Sequence, residues 1–289
     1  MASMRDIKRR KVSIQSTQQI TKAMKLVSTV RLQRAKAKAE RSRAYFKCMQ
    51  KTVASMLSRT GNVNHPYLSS KGDGRKAVVV ISSNRGLAGG FNSNVVRLMI
   101  KNDQTADWDP ASVDIYAIGN KAKDGLARAG FGIADSDPDA IDEPVYDDAK
   151  RISDKLLEKF RAGEISEIYV AYTEFKNTVT HIPTLIRVLP VELPEDEADG
   201  AGVSAPMNYE PAEDESLDLI VPKYVASMIY GALTQSIASE NGARMQAMDS
   251  ATSNAEDMIQ SLALQYNRAR QSSITQELTE IIAGAEAIS

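Results

Sequence analysis

Hydrophobic and polar positions change their spacing twice along this chain. Residues 3–58 contain no Gly and no Pro and are filled with Lys, Arg, Gln, Ala, Met and Leu, all strong helix formers. One very long helix is predicted there. Ser3 followed by Asp6 resembles a capping box, and Gly61, Asn62, His65 and Pro66 supply a stop. At about 1.5 Å per residue such a helix runs roughly 80 Å, longer than a globular domain is wide, so most of it is expected to project. A second helical stretch is expected to begin after Pro222, the last proline, and to run to Ser289. Its apolar or small positions alternate in steps of three and four through Met245, Met248, Thr252, Ala255, Ile259, Leu262, Tyr266 and Ala269, which is a heptad seam. Past Ala269 the phase slips to Ile274, Leu278, Ile281, Ala285 and Ile288, predicting a local change of winding. The first helix offers a thinner seam through Ile20, Ala23, Val27 and Val30. Neither helix buries enough alone, so the two are expected to pair.

Between them the period switches to strands alternating with helices. Residues 76–83, with Ala77 to Ile81 unbroken at their centre, read as a buried strand, 94–101 as a helix, 113–118 as a strand and 120–129 as a helix. Residues 146–161 carry helical periodicity through Ala149, Ile152, Leu156, Leu157 and Phe160, and 167–175 and 178–189 read as further strands. The expected fold is therefore an α/β head with a long antiparallel two-helix coiled coil formed by the N- and C-terminal helices. The expected division is 1–60 for the N-terminal coiled-coil helix, 68–208 for a Rossmann-like α/β head, and 212–289 for the C-terminal coiled-coil helix.

Charge follows the same division. Residues 1–60 carry 16 basic and 2 acidic side chains, leaving 20 basic and 35 acidic for the remainder, or +14 followed by −15. With 43% hydrophobic residues the chain can build a core, which excludes disorder as its main state. The single cysteine, Cys48, excludes a disulfide framework and multi-cysteine metal sites, and two histidines leave little for a histidine-based one. Unbroken apolar runs such as 77–81 reach five residues, well short of the ~20 a membrane helix needs. The basic N-terminus lacks the apolar core of a secretory signal, so none is expected. Two acidic stretches stand out: 135–148 with seven acids, and 192–218 with ten acids and no base. Neither has the ligand spacing of an EF-hand, and solvated loops are expected. The second, holding Pro194, Gly200, Gly202, Pro206 and Pro211, reads as a linker.

Candidate chemistry is sparse. Arg85-Gly86-Leu87-Ala88-Gly89-Gly90-Phe91-Asn92 follows a strand and precedes a helix, where a phosphate-cradling loop would sit. It contains no Lys and matches neither the P-loop nor the dinucleotide spacing, so a tight strand-to-helix turn is the expectation. His65 and His181 have no Ser or Cys near them in a recognisable elbow, and no catalytic constellation emerges. The basic first helix could neutralise phosphates, as in a nucleic-acid-binding coiled-coil tether. Its charges lie all round the helix, its aromatics are limited to Tyr45 and Phe46, and an acidic protein partner meets the same description.

Several segments together resemble one family. Ile14 to Met24 (IQSTQQITKAM) and Ser83 to Asn92 (SNRGLAGGFN) are similar to the gamma subunit of F-type ATP synthases. So are Ala238 to Asn241, Arg244 to Met248, Ala251 to Ala255 and Tyr266 to Leu278. Asn84 stands where that family often has Asp, and Ala88 where it frequently has Cys; the paired-cysteine insert of chloroplast members is absent, which removes thiol switching. The resemblance implies a non-catalytic rotor shaft inside a ring of three alpha and three beta subunits, contacting an epsilon subunit and a membrane ring of c subunits. It implies no cofactor of its own and no nucleic-acid partner. It further implies a peripheral position on the cytoplasmic face of a bacterial cell membrane, reached through partners only. By motif match Lys22, Met24 and Lys25 meet acidic loops of the beta subunits. Arg244, Gln271, Thr275 and Glu277 occupy coupling or ring-contact positions, and Tyr209, Glu210 and Pro211 match the segment over the c ring.

Overall fold

The computed structural model describes residues 4–59, 66–67, 74–101, 105, 108–191 and 213–286. The elements run α1 (Met4–Arg59), β1 (Arg75–Ile81), α2 (Phe91–Lys101), β2 (Val113–Ile118), α3 (Asn120–Arg128), β3 (Gly132–Ser136), α4 (Tyr146–Ala162), β4 (Ile165–Phe175), β5 (His181–Leu189) and α5 (Glu213–Glu286). The chain packs as two compact units, Met1–Thr29 with Arg244–Ser289, and Val30–Ala243. Gly61, Asn62, His65, Ser3 and Ile288 lie outside the described residues, so the expected start and stop signals of the first helix fall partly there.

The larger unit is built on a five-stranded sheet in the order β3-β2-β1-β4-β5. β1 pairs in parallel with β2 and β4, β2 in parallel with β3, and β5 closes the sheet antiparallel to β4. β1 is central, which explains its unbroken apolar run. Ala77, Val79 and Ile81 face one core, with Leu156 and Phe160 of α4 and Leu217, Val221, Val225, Ile229 and Leu233 of α5. Val78 and Val80 face the other, with Val95 and Met99 of α2 and Leu126 of α3. Each buried aliphatic chain contributes about 1.5–3 kcal/mol, so a strand covered on both faces is the most strongly held part of the sheet.

Two expectations are corrected in this unit. Residues 132–136 form a strand, although no alternation of apolar residues marks them; β3 is a half-exposed edge, and such strands need not alternate. Its acidic continuation is folded rather than loose: Asp135 bonds Lys155 at 2.6 Å, Asp137 pairs with Arg151, and the Asp148 carboxylate accepts from the Val145 N–H where α4 begins. The Lys155 ammonium lowers the pKa of the Asp135 carboxyl. The last helix starts at Glu213, ahead of Pro222, which lies inside it. Leu217 and Val221 before the proline and Val225 after it are fully buried, and their burial offsets the ~3 kcal/mol that an internal proline costs.

The lone tryptophan, Trp108, also belongs to this unit. Its ring lies 4.8 Å from that of Tyr169, and Lys76 Nζ sits 4.9 Å above it while bonding Glu167 at 2.9 Å.

In the smaller unit α1 and α5 pack as an antiparallel pair, Thr21 level with Thr252 and Lys25 with Asp249. On α5 the covered positions are those of the predicted seam: Met248, Ala255 and Leu262 are buried, and Met245, Thr252, Ile259, Tyr266 and Ala269 half-buried. Beyond Ala269 the expected continuation is not a seam within the chain, since Ile274, Leu278 and Ile281 are exposed. The seam expected on α1 is overturned. Ile20, Ala23, Val27 and Val30 all lie on the exposed side, and the covered positions are Ile7, Lys11, Ile14, Gln18, Thr21, Lys25 and Ser28. These keep perfect four-three spacing, yet most are polar or small. Hydrophobicity picked the wrong face because the better apolar stripe does not face α5. Among the described residues no helix is long and apolar enough to cross a membrane.

Candidate interaction surface

The motif residues fall into two groups along the coil. In the first, Lys22 points to solvent, Met24 is half-buried beside the seam, and Lys25 donates to Asp249 at 2.6 Å. One turn away the Thr21 and Thr252 hydroxyls meet at 2.8 Å, with Thr21 buried. Lys25 is thus engaged within the coil, and Lys22 is the ammonium on its outer surface. Arg244 is half-buried on α5 near the same level. The second group holds Gln271, Thr275 and Glu277, all exposed and linked by bonds of neighbouring turns: Thr275 Oγ1 donates to the Gln271 carbonyl at 2.9 Å, and Ser273 to Glu277 at 3.3 Å. At 1.5 Å per residue it lies roughly 33 Å along α5 from Asp249. The structure therefore brings Lys22, Met24 and Lys25 together with Asp249 and keeps Gln271, Thr275 and Glu277 apart. Tyr209, Glu210 and Pro211 lie outside the described residues.

What the motifs did not mark is the outer face itself. Val12, Ile20, Leu26, Val27 and Val30 of α1 are about half exposed or more, as are Ile274, Leu278, Ile281 and Ile282 at the end of α5. On a helical wheel Val12, Ala23 and Val30 lie roughly opposite Thr21. Exposed aliphatic side chains gathered on one side of a helix are the kind of surface that a partner covers. The signal was present in the sequence as a second heptad register, Gln18, Thr21, Lys25 and Ser28, whose polarity hid it.

The glycine-rich segment forms a pinned strand-to-helix turn in the larger unit. Asn92 Oδ1 accepts from Ser83 N at 2.9 Å, and the single Ser83 Oγ proton lies between two acceptors, the Arg85 carbonyl at 2.6 Å and Asn92 Oδ1 at 2.9 Å. Asn84 links three elements, since its Nδ2 donates to the Pro138 carbonyl at 2.7 Å and its Oδ1 accepts from Asn120 N at the start of α3. An Asp there would keep the second bond and lose the first. Leu87 projects from this rigid loop, 63% exposed, with a left-handed φ of 64°. A bulky residue held in that conformation and left in water is a strained, pre-positioned knob. Among the described residues no group of three or more His, Cys, Asp or Glu is placed to hold a metal ion.

Comparison with known proteins agrees with this arrangement. A family model described as ATP synthase matches residues 3–288. The ATP synthase gamma chain of Lachnoclostridium phytofermentans is 58% identical over 294 residues, covering all of both chains. The chain belongs to the ATP synthase gamma chain family. The gamma chain of Alkaliphilus metalliredigens is 41% identical over 291 residues, covering 99% of this chain and 98% of that one. Among solved structures, a chain of the Euglena gracilis mitochondrial ATP synthase in rotational state 3 superposes with a TM-score of 0.68 at 18% identity, covering 99% of this chain and 94% of the other. At that identity the likeness shows a shared fold.

Proposed function

We propose that this chain is the non-catalytic rotor shaft of an F-type ATP synthase. The outward apolar stripe of α1, with the exposed aliphatic end of α5, carries this reading. A coil that packs its poorer face inward and leaves Val12, Ile20, Val27 and Val30 in water is shaped for a surrounding partner. In this reading the partner is a ring of three alpha and three beta subunits. The division into a coiled-coil pair, 1–60 and 212–289, and a head, 68–208, assigns the coil to the ring and the head to the epsilon subunit and the membrane ring of c subunits. The complex then sits at the cytoplasmic face of the bacterial membrane, and this chain reaches the membrane only through partners.

Coupling follows from symmetry. One asymmetric chain inside a threefold ring presents a different face to each of three otherwise equivalent sites, and a face that contacts one state better than another shifts that site's population. Lys22 on the outer surface of the coil, Met24 at its edge and Arg244 serve this contact at one level. Gln271, Thr275 and Glu277 serve it at a second level about 33 Å away. Lys25 acts through its bond to Asp249 as well as by its charge. Tyr209, Glu210 and Pro211 belong to the c-ring side. The basic character of α1 suits acidic protein loops, and nothing among the relatives points to nucleic acid.

The direct test is an image of the complex purified through this chain. The coil is expected on the axis of a hexameric ring; a position at the periphery overturns the reading. Titration calorimetry on the isolated chain is expected to give no tight ATP binding, because the loop from Arg85 to Asn92 has no Lys or hydroxyl for a nucleotide phosphate. Micromolar binding would refute the non-catalytic assignment.

A further inference from the structure

The β4–β5 hairpin reaches past the rest of the sheet. β1 pairs with β4 only as far as Val80 with Ala171, whereas β4 and β5 continue together to Phe175 with His181. Beyond β1 the backbone of β4 is therefore left without a strand on that side, and α5 supplies the missing partners. Ser236 Oγ accepts from Thr173 N at 3.3 Å, and Ser239 Oγ donates to the Thr173 carbonyl at 3.0 Å. At the far end of this contact the His181 ring lies against Phe175, centroids 5.9 Å apart, and reaches α5 at Gly242. A Cβ on residue 242 would stand 2.6 Å from His181 Nε2, so only glycine admits the ring. The hairpin turn is held locally, Asn177 Oδ1 accepting from Val179 N and Thr180 N, with Val179 exposed at its tip.

His181 Nε2 is buried and has no hydrogen-bond partner among the described residues. Phe175 and Gly242, the groups against the ring, do not titrate. The charged groups on the elements around it are Glu174 and Lys176 on the hairpin, Glu240 on α5, and the Lys36–Glu40 pair of α1, which lines the cavity beside Phe175; burial lowers the ring's proton affinity. With the imidazole charged, Nε2–H is a buried donor against α5 with no hydrogen-bond acceptor among the described residues.

We propose that His181 on Gly242 is a proton-sensitive latch, closed when the imidazole is neutral and released when it is protonated, freeing the end of the β4–β5 hairpin from α5. The sign follows from linkage. The released ring binds a proton near its ordinary pKa of about 6.5 and the latched ring binds it more weakly, so the closed state is favoured above that pH and lost below it. This latch lies wholly within the larger unit and does not rest on the rotor reading.

The test is hydrogen exchange of the full chain between pH 7.5 and 5.5, corrected for the intrinsic rate at each pH. Amides of residues 173–182 are expected to open about tenfold more per pH unit below ~6.5, while β1 amides do not follow. His181→Phe, which keeps an aromatic ring, and His181→Gln should both abolish the pH dependence. Gly242→Ala should open the hairpin already at pH 7.5. The His181 ring protons should titrate below the ordinary midpoint. Corrected exchange that is the same at both pH values overturns the latch, as does a pH dependence that persists in both neutral variants or a ring that titrates at the ordinary value.

Discussion

Thr21 and Thr252 share a hydrogen bond across the coil, oxygen to oxygen at 2.8 Å, between positions 231 residues apart in sequence. Each hydroxyl also has a carbonyl of its own helix within reach, Gln18 at 3.0 Å and Met248 at 2.7 Å. With one proton apiece, one threonine donates across the coil and the other donates along its own helix. Replacing either by valine is expected to cost about 0.5–1.5 kcal/mol, because the remaining hydroxyl loses its cross-helix partner in a covered seam. The double variant should cost less than the two together, since an apolar pair of the same shape leaves nothing unsatisfied. Thermal melts followed by far-UV circular dichroism give the cycle, and additivity within about 0.3 kcal/mol would show that the pair contributes nothing as a pair.

Gly119 is the most tightly enclosed of the described glycines. It has φ 94°, and a Cβ there would lie 2.2 Å from the Ser82 carbonyl oxygen, where β1 and β2 end side by side. Gly119→Ala must therefore separate two central strands as well as enter a strained conformation, and a loss of more than about 2 kcal/mol is expected. Urea denaturation measures it. A loss under about 0.5 kcal/mol would mean that the turn relaxes without disturbing the strands.

Protection against hydrogen exchange should differ within the chain. β1 from Ala77 to Ile81 is fully buried, whereas α1 between Met4 and Thr29 is covered along one polar seam. In the free protein the amides of that part of α1 are expected to exchange well before those of β1. Equal protection would show that the coil draws its stability from something other than its seam.

Met24→Lys is expected to impair coupling more than assembly. Met24 is half-buried next to the Lys25–Asp249 bond, with Lys22 outside it, so a third ammonium can reach an acidic partner loop from the coil's edge. A contact made in some rotor positions and broken in others raises the barrier between them. Folding should change by less than about 1 kcal/mol. Ion pumping in vesicles per ATP hydrolysed is the measurement, and an unchanged ratio removes Met24 from the coupling contact.

Legibility in the sequence tracked how each element is buried. β1, β2 and α4 were readable to within a residue or two because each has a full apolar pattern against a core inside the chain. β3 was not, because Gly132, Ala134, Asp135 and Ser136 form a half-exposed edge without alternation. The start of α5 was hidden by Pro222, whose local cost is outweighed by Leu217 and Val221 packing that only the fold reveals. The α1 seam was misread for a functional reason. Local hydrophobicity marks the face with most to bury, and on this helix that is not the face turned to α5. Lys22, Met24 and Lys25 are singled out by motif alone, while the Lys25–Asp249 pair and the Thr21–Thr252 bond become visible only when two distant helices are paired.

The position of Trp108 divides what a spectroscopist can see. As the sole tryptophan, tilted against Tyr169 within the sheet unit, it makes tryptophan fluorescence a reporter of that unit alone. The paired helices of the other unit contribute strongly to far-UV ellipticity and nothing to tryptophan emission. A fluorescence melt can therefore look cooperative and complete while the coil has already come apart. Agreement or divergence between the two optical signals becomes a built-in measure of whether this chain unfolds in one step or two.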